Sequence, residues 1–121
     1  MSLRNRLSVV SAGLLVIVSL SVESFAQVSA GTDHTCGITT ADIAYCWGFN
    51  DYGRLGDGTS VQREAPVPVS GGLTFAAIAA GPLHSCGVTP GHVAYCWGHD
   101  GDGRLGNGAP GDTLAPARVV H

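Results

Sequence analysis

The side chains of this sequence best suited to chemistry are its cysteines and histidines. The cysteines are Cys36, Cys46, Cys86 and Cys96, and the histidines near them are His34, His84, His92 and His99. Thiolate and imidazole groups bind zinc, but structural zinc sites take cysteines about two to four residues apart. Nine residues separate Cys36 from Cys46 here, so disulfide bonds are favoured and no metal site is predicted. Four cysteines allow three pairings.

The acidic run Asp100–Gly103 is similar in composition to a calcium-binding loop. Such loops supply oxygen ligands at about positions 1, 3 and 5 and a glutamate at about position 12. Counted from Asp100, position 5 is Arg104 and position 12 is Gly111, and neither residue offers a side-chain oxygen. We interpret the run as a glycine-rich turn and expect no cofactor.

Arrangements typical of catalysis are missing from the sequence. It has no paired carboxylates at matched positions outside loops, no strand-to-helix nucleophile turn and no phosphate-binding glycine loop that enters a helix. We therefore expect that the protein is not an enzyme. Four aromatic residues could stack on sugar rings, but their places in apolar runs favour burial in a core. They are Tyr45, Trp47, Tyr95 and Trp97.

An internal repeat organises these residues. Residues 30–69 align with residues 80–119 without a gap and share 19 identities in 40 positions. A period near fifty residues is typical of stacked supersecondary units such as propeller blades. We therefore place the first repeat at residues 27–74 and the second at residues 75–121.

Residues 1–26 resemble a secretory signal peptide. A basic start precedes an apolar run of 16 residues, and Ser24-Phe25-Ala26 provides small residues at the two positions that a signal peptidase reads. An uncleaved membrane anchor is the alternative, although a run of 16 residues interrupted by serines is short for a bilayer span. We expect cleavage after Ala26, no membrane attachment afterwards, and a secreted, periplasmic or extracellular protein.

The charge of the remaining chain narrows the choice of partners. Residues 27–121 contain four arginines, no lysine and eight carboxylates, which gives a net charge of −4 when the histidines are neutral. Proteins that bind nucleic acids carry a basic patch, and these arginines are scattered. We therefore expect no nucleic-acid partner.

Each repeat carries the pattern of a β-hairpin. Short strands are expected at residues 25–30 and 75–80, and a second pair of β-rich runs follows across a short polar or Pro-Gly link. If Thr39 faces Ile43, the register places Cys36 opposite Cys46. The Cβ atoms of directly paired residues lie about 4.5–5.5 Å apart, close enough for a disulfide after modest adjustment. The same count pairs Cys86 with Cys96.

The sequence also predicts the positions of the remaining strands and loops in the fold. Ile43–Trp47 is apolar at every position, so we expect both faces of that strand to be covered, as in the interior of a blade. Leu55 and its counterpart Leu105 are expected to anchor their glycine-rich loops in the core. Proline cannot donate to a β-ladder, so Pro66 and Pro116 predict outer edge strands.

With these motifs the chain resembles the regulator of chromosome condensation (RCC1-type) repeat family, in a secreted bacterial form with two repeats only. The resemblance rests on Tyr45-Cys46-Trp47-Gly48 with Gly53-Arg54-Leu55-Gly56, and on their second copies. It implies an all-β fold built of β-propeller blades. The positions that we assign to this shared structure are His34, Trp47, Gly48, Gly53, Leu55, Gly56, His84, Trp97, Gly98, Gly103, Leu105 and Gly106.

The resemblance suggests several functions. The founding member is a chromatin-bound guanine-nucleotide exchange factor, so an exchange-factor-like or chromatin-associated regulator is one alternative. A secreted bacterial β-lactamase inhibitor of propeller form is closer to this chain because it is also exported, so enzyme inhibition is a further alternative. Carbohydrate binding is another. The leader, the paired cysteines and the acidic charge favour a secreted protein-protein interaction or scaffold module with an unknown protein partner.

Two repeats are too few to close a propeller, which takes about 4–8 blades. In a propeller each blade covers the apolar face of the next, so an isolated pair leaves one face of each blade bare. We expect a fragment of a longer propeller or a homo-oligomer. Three copies would supply six blades and four copies would supply eight.

Overall fold

The chain folds as an all-β protein, as the sequence predicts. A computed structural model describes residues 3–11, 14–22 and 24–120, which contain β-strands and two short 3-10 turns but no α-helix. Eight strands form two four-stranded antiparallel sheets, one for each repeat. A four-stranded antiparallel sheet is the unit of a β-propeller, and the predicted blade architecture is confirmed. No helix among the described residues is long and apolar enough to cross a membrane.

The two sheets have the same strand order. The first contains β3 (Phe25–Ala30), β4 (His34–Thr39), β5 (Ala44–Gly48) and β6 (Arg63–Pro68), in that order across the sheet. The second contains β7 (Ala77–Ala80), β8 (His84–Val88), β9 (Ala94–Gly98) and β10 (Thr113–Arg118), again in chain order. Both predicted proline strands therefore lie at a sheet edge, because Pro66 is in β6 and Pro116 is in β10.

The predicted leader contributes a separate two-stranded ribbon. Strands β1 (Leu3–Ser11) and β2 (Leu14–Val22) pair antiparallel with each other, and the register joins Leu3 to Val22. Positions 1, 2, 12, 13 and 23 of the predicted signal peptide lie outside the described residues. Removal of this segment after Ala26 stays a prediction.

The hairpin register agrees with the sequence-based prediction in both repeats. The backbone N–H of Thr39 donates to the carbonyl of Ile43 at 2.9 Å, and Cys36 pairs directly with Cys46. Cys86 pairs with Cys96 in the same way. Both predicted disulfides are present, and each joins two adjacent strands of one sheet.

The core lies between the two sheets. It consists mainly of apolar residues of the first repeat, together with three large side chains of the second repeat that pack onto them. The first group is Cys36, Ile38, Ala44, Cys46 and Leu55, and the second is Phe75, Ile78 and Trp97. Leu55 is fully buried here, and Leu105 is also fully buried in its own repeat.

Each blade is covered on one face only, which differs from the expectation for Ile43–Trp47. Trp97 and Phe75 of the second sheet are fully buried, whereas Phe25, the counterpart of Phe75, is 38% exposed and Trp47 is half-buried. Ile43 lies outside β5, bridges to Thr74 and is 36% exposed. The reason is that only the contact between the two sheets is present among the described residues.

We predict that each disulfide stabilises its own repeat by a similar amount. Each closes a loop of ten residues, so replacing Cys36 and Cys46 by serine should lower the free energy of unfolding. The loss should be about 2.5–3 kcal/mol in the chain-entropy model. Urea unfolding of this double variant and of the matched Cys86→Ser/Cys96→Ser variant measures it. Peptide mapping without reduction that joined the first repeat to the second would contradict the assigned pairing.

Candidate interaction surfaces

The junction between the two blades is built from repeat residues that meet across it. Trp97 of the second blade packs on Gly56 of the first, and a methyl group built at Gly56 would lie 2.6 Å from the Trp97 indole nitrogen. Leu114 of β10 covers Gly53 in the same loop. The loop Gly53–Gly56 is consequently buried throughout. Glycine is needed at these positions because the second blade approaches the backbone itself.

A buried polar relay also crosses the junction. Nε2 of His34 lies 2.7 Å from the Ser85 hydroxyl oxygen, and this hydroxyl donates to the Arg54 carbonyl at 2.9 Å. Because Ser85 gives its only proton to that carbonyl, the Nε2–H of His34 is the donor in the first bond. The Arg54 guanidinium donates to the carbonyl of Pro82 at 3.1 Å, so it joins the blades a second time.

Burial determines the charge of His34. The ring is 3% exposed, and its Nδ1 has no hydrogen-bond partner among the described residues. Burial lowers the pKa of His34 to about 4, and the positive charge of Arg54 contributes to this shift. His84, which is less buried, also has a lowered pKa, mainly because of desolvation. His34 is therefore a neutral donor at physiological pH and has a structural role.

The innermost strands are joined by side chains of the first repeat. The Gln27 amide donates to the carbonyl of Ile78 at 3.0 Å and accepts from the N–H of the same residue at 3.3 Å. The Ser29 hydroxyl accepts from the N–H of Ala80 at 3.0 Å. Alanines 77 and 79 stand at the corresponding positions of the second repeat, so these bonds belong to this junction alone.

Two outward faces repeat the halves of the junction. The leading face is the side of the first blade that is turned away from the second, and it contains Phe25, Val28, Thr35 and Trp47. The trailing face is the opposite side of the second blade, and it contains Ala79, Cys86, Val88, Ala94 and the loop Gly103–Gly106. A shallow, mainly apolar hollow of about 170 Å³ opens on the trailing face. His84 also lies on this side.

Aromatic residues gather at one end of the blades. The β5–β6 and β9–β10 loops emerge at the same end, and the ring of Tyr52 in the first packs against the ring of His99 in the second, with centroids 4.4 Å apart and planes inclined at 40°. Phe49 belongs to the same loop as Tyr52, and the Arg54 guanidinium carbon lies 5.5 Å from its ring centroid. We call Phe49, Tyr52 and His99 the rim cluster. Phe49 and Tyr52 are both exposed.

The backbone at Tyr52 is unusual. Its φ is +66°, in the left-handed region that bulky residues rarely adopt. The counterpart Asp102 has φ of +63°, and aspartate tolerates this conformation better. Residues held in such conformations occur preferentially at functional sites. His92, at the other end of the second blade, also has a φ of +67°, so the rim cluster is distinguished by its exposed aromatic rings together with the strain at Tyr52.

Carboxylates surround the rim cluster. Asp33, Asp51, Asp102 and Asp112 are exposed on loops at this end, where the exposed arginine is Arg104. The Asp112 carboxylate accepts from the N–H of Asp100 and lies 2.9 Å from Nδ1 of His99. The backbone N–H is the larger cause, and His99 a smaller one, of a pKa of Asp112 below its usual value. The described part of the rim is therefore acidic.

A hydrogen-bonded scaffold holds the first rim loop. Asn50 is buried, accepts from the N–H of Leu55 at 2.9 Å and donates to the carbonyl of Val61 at 2.9 Å. Burial raises the pKa of Asp57, but hydrogen bonds from Thr59, Arg63 and Asn50 outweigh it, so the pKa lies below its usual value. The second loop exchanges the two residue types, with Asp100 and Asn107. Asp100 still accepts from the N–H of Leu105.

The predicted repeat positions divide between the junction and the outward faces. His34, Trp97 and the loop Gly53–Gly56 meet at the junction, whereas Trp47, His84 and the loop Gly103–Gly106 lie on the faces. Gly48 and Gly98 end β5 and β9 with φ of +109° and +108°. Among the described residues, no three His, Cys, Asp or Glu side chains are grouped so that they could hold a metal ion.

Sequence reasoning assigned no individual role to three important residues. Ser85 and Arg54 complete the polar relay, and a signal for them existed, because the second repeat also has an arginine at 104 and the first a hydroxyl at Thr35. Tyr52 had no such signal, since Asp102 replaces it in the second repeat. Its place on the rim depends on the loop conformation.

Comparison with known families agrees with this architecture. The sequence model of the "Regulator of chromosome condensation (RCC1) repeat" matches residues 43–88, and a second model of the same repeat matches residues 25–54. The chain belongs to the RCC1 repeat family. The longer match begins before β5 and ends with β8, so the sequence repeat of the family spans the junction of two blades.

Known relatives are similar over part of their length. The "Probable E3 ubiquitin-protein ligase HERC4" of Homo sapiens is 40% identical over 48 residues, which are 40% of this chain and 4% of HERC4. The "Ultraviolet-B receptor UVR8" of Arabidopsis thaliana is 35% identical over 52 residues, which are 42% of this chain and 12% of UVR8. The chain therefore spans a small fraction of each relative.

Solved structures share the fold. Prp20p of Saccharomyces cerevisiae superimposes with a TM-score of 0.74 and 23% identity, over 93% of this chain and 30% of Prp20p. Human WBSCR16 superimposes with a TM-score of 0.72 and 23% identity, over 89% of this chain and 30% of the WBSCR16 chain. Prp20p is described with its binding properties to Gsp1p and histones. At this identity the likeness shows the RCC1 fold alone.

Alanine substitution at the two loop glycines separates packing at the junction from backbone strain. Gly56 and Gly106 have φ of +71° and +64°, so either alanine should cost about 1 kcal/mol of folding stability through strain. Gly56→Ala should cost about 1–3 kcal/mol more, because the new methyl group meets Trp97. At Gly106 the nearest atom is a Val119 methyl carbon at 3.3 Å. Equal losses in urea unfolding would contradict the assigned junction.

We predict that stability depends on pH through His34. The unfolded chain takes up a proton at His34 near pH 6.5, whereas the folded chain does so only near pH 4. The free energy of unfolding should therefore fall as the pH is lowered from about 6.5 towards 4, because the unfolded state binds more protons. Asp57 and Asp112 have lowered pKa values, so their stabilising effect is lost only below this window.

Urea titrations between pH 7.5 and 4.5 measure this dependence. His34→Gln should flatten the slope, and His84→Gln, its matched control in the less buried position, should flatten it less. If the two variants kept the slope of the unmodified chain, His34 would have an ordinary pKa in the folded state.

Proposed function

We propose that this chain is an exported, non-enzymatic RCC1-repeat module that binds a protein partner through the rim cluster. The proposal has three parts, which are export, binding in place of catalysis, and the location of the binding site. The rim cluster is the observation that carries it.

Export is supported by the cysteines and by the leader. Two disulfides account for all four cysteines of the chain. Disulfides persist in oxidising compartments and are rare where thiols are kept reduced. The basic and apolar start of the sequence fits the same route. The family's nuclear activities belong to a reducing compartment, so we do not extend them to this chain.

Binding to a protein is supported by the composition of the rim. Aromatic residues are enriched where proteins bind each other, and a few of them supply most of the binding energy. The rings of Tyr52 and His99 pack against each other at the junction, so two blades hold the pair in place. The RCC1-fold protein Prp20 is itself described in complexes with proteins, since one structure has yeast Kap60 bound to it.

The charge of the rim indicates the chemistry of the partner. The exposed carboxylates around the rim cluster outnumber the exposed arginine, and no lysine is present in the chain. Aromatic faces and carboxylates both attract cationic side chains. We therefore expect a protein surface with lysine or arginine at its centre, and an association rate that falls as salt is added.

The test compares two substitutions at left-handed turn positions. Tyr52→Asn removes the ring and suits the backbone, while His92→Asn does the same at the other end of the second blade, where φ is +67°. Immobilised protein and both variants are incubated with culture fluid, and the retained protein is identified and purified. Calorimetry should show affinity at least about tenfold weaker for Tyr52→Asn and unchanged for His92→Asn.

Two outcomes would contradict the proposal. Equal affinity of Tyr52→Asn and the unmodified chain for the purified partner would show that the binding site lies outside the rim cluster. Retention of a defined polysaccharide on a glycan array, lost in Trp47→Ala while the protein stays folded, would favour carbohydrate binding.

A further inference from the structure

The leading face carries the same side chains that the second blade inserts into the junction. Phe75, Ile78 and Trp97 fill the junction and are almost completely buried. Their counterparts in the first repeat are Phe25, Val28 and Trp47. These are the same or nearly the same residue types, but Val28 is 55% exposed and Trp47 is only half-buried. The first blade therefore presents an unused set of inserting side chains.

The trailing face carries the surface that receives them. At the junction the receiving residues are Cys36, Ile38, Ala44 and Leu55, all almost completely buried. Their counterparts Cys86, Val88 and Ala94 line the mainly apolar hollow of about 170 Å³, whereas Leu105, the counterpart of Leu55, is already buried within its own repeat. The arginine next to each leucine differs in burial, because Arg54 is buried and Arg104 is exposed.

We propose that the trailing face of one copy of this chain binds the leading face of a second copy, and that this junction repeats the contact between the two blades. The occupant is a second copy because both complementary surfaces belong to one sequence. The inserting side chains and the receiving surface of this contact have the same or nearly the same residue types as the residues that already pack together at the junction within the chain. This surface is distinct from the rim cluster.

The polar relay can be rebuilt between copies. His84 takes the place of His34, and the Nδ1 atoms of both rings lack a partner among the described residues, which leaves Nε2 as the nitrogen for the relay. Thr35 of the second copy offers a hydroxyl at the position of Ser85, and the Arg104 carbonyl takes the place of the Arg54 carbonyl. The two bonds of the relay therefore have donors and acceptors of the same kinds. In the proposed contact, Trp47 of the second copy covers Gly106, just as Trp97 covers Gly56 at the junction within the chain.

Charge also favours this arrangement. Leu114 covers the loop of the first repeat, and its counterpart in the first repeat is Glu64. In the proposed contact, Glu64 of the second copy reaches the loop that carries the exposed Arg104. The carboxylate and the guanidinium then lie on opposite sides of one junction, and opposite charges in matching places favour the correct register.

The contact between copies lacks some bonds of the internal junction. Gln27 and Ser29 donate and accept across the blades within the chain, but Ala77 and Ala79 stand at the corresponding positions of the trailing face. Association should therefore depend on protein concentration. A head-to-tail contact of this kind continues until the rotation between copies closes a ring. Closed propellers contain about 4–8 blades.

Two blocking substitutions test the proposal together. Val28→Arg places a charge on the leading face and Val88→Arg places one on the trailing face, and both valines are exposed. Sedimentation velocity over a concentration series should show the unmodified chain forming larger species. Each variant alone should stay monomeric. A mixture of the two should form a complex that stops at two copies, because one intact face remains on each partner.

The controls separate this association from misfolding and from the rim. Val61→Arg replaces a valine that is also 55% exposed but lies outside both faces, and it should associate like the unmodified chain. Tyr52→Asn should do the same. Near-ultraviolet circular dichroism and intact disulfides establish that the variants are folded. Ala79→Arg provides a second block of the trailing face if Val88→Arg does not fold.

Four results would overturn the proposal. The unmodified chain could stay monomeric across the whole series, the single variants could still self-associate, or their mixture could stay monomeric. A failure of this kind leaves the rim binding measurement unaffected, because that measurement uses different residues and a different partner. Loss of association in Tyr52→Asn would likewise assign the contact to the rim and contradict the proposal.

Discussion

The rest of this structure depends on the covering of one blade's apolar face by the next blade. Each sheet carries apolar residues on both of its faces. A sheet can therefore bury these residues only when a neighbouring blade covers them. Phe75 and Trp97 are fully buried only because Leu55 and the disulfide of the first repeat lie opposite them. Burial of each such side chain contributes about 1.5–3 kcal/mol, so this single contact supplies much of the stability of the pair.

Polar groups take their roles from the same contact. His34 is neutral because the second blade buries it, and the relay through Ser85 to the Arg54 carbonyl forms only across the junction. The first disulfide packs against the second blade, but neither disulfide links the blades covalently, since each lies within one hairpin. The blades are thus held together by packing and hydrogen bonds together with the linking chain. A contact of this kind can also form between separate copies.

The two proposed binding surfaces differ in origin. The leading and trailing faces are halves of a repeated contact, so their chemistry is shared by both repeats and follows from the period. The rim cluster has the opposite origin, because Tyr52 and Phe49 stand where the second repeat has Asp102 and His99. Variation between repeats in a loop, on a framework that is otherwise repeated, is where specific recognition is expected.

The sequence by itself determined what is local or repeated. The gapless period predicted the blade architecture, and the hairpin pattern predicted the pairing of Cys36 with Cys46, because the short link between the two strands sets their register. Pro66 and Pro116 marked the edge strands for the same local reason. Only the tertiary structure decided which copy of each residue is buried. Trp47 and Trp97, or Arg54 and Arg104, are identical in type, and their environments differ because one lies at the junction and the other on an outward face. Burial is set by what packs against a residue, and that neighbour lies about fifty positions away.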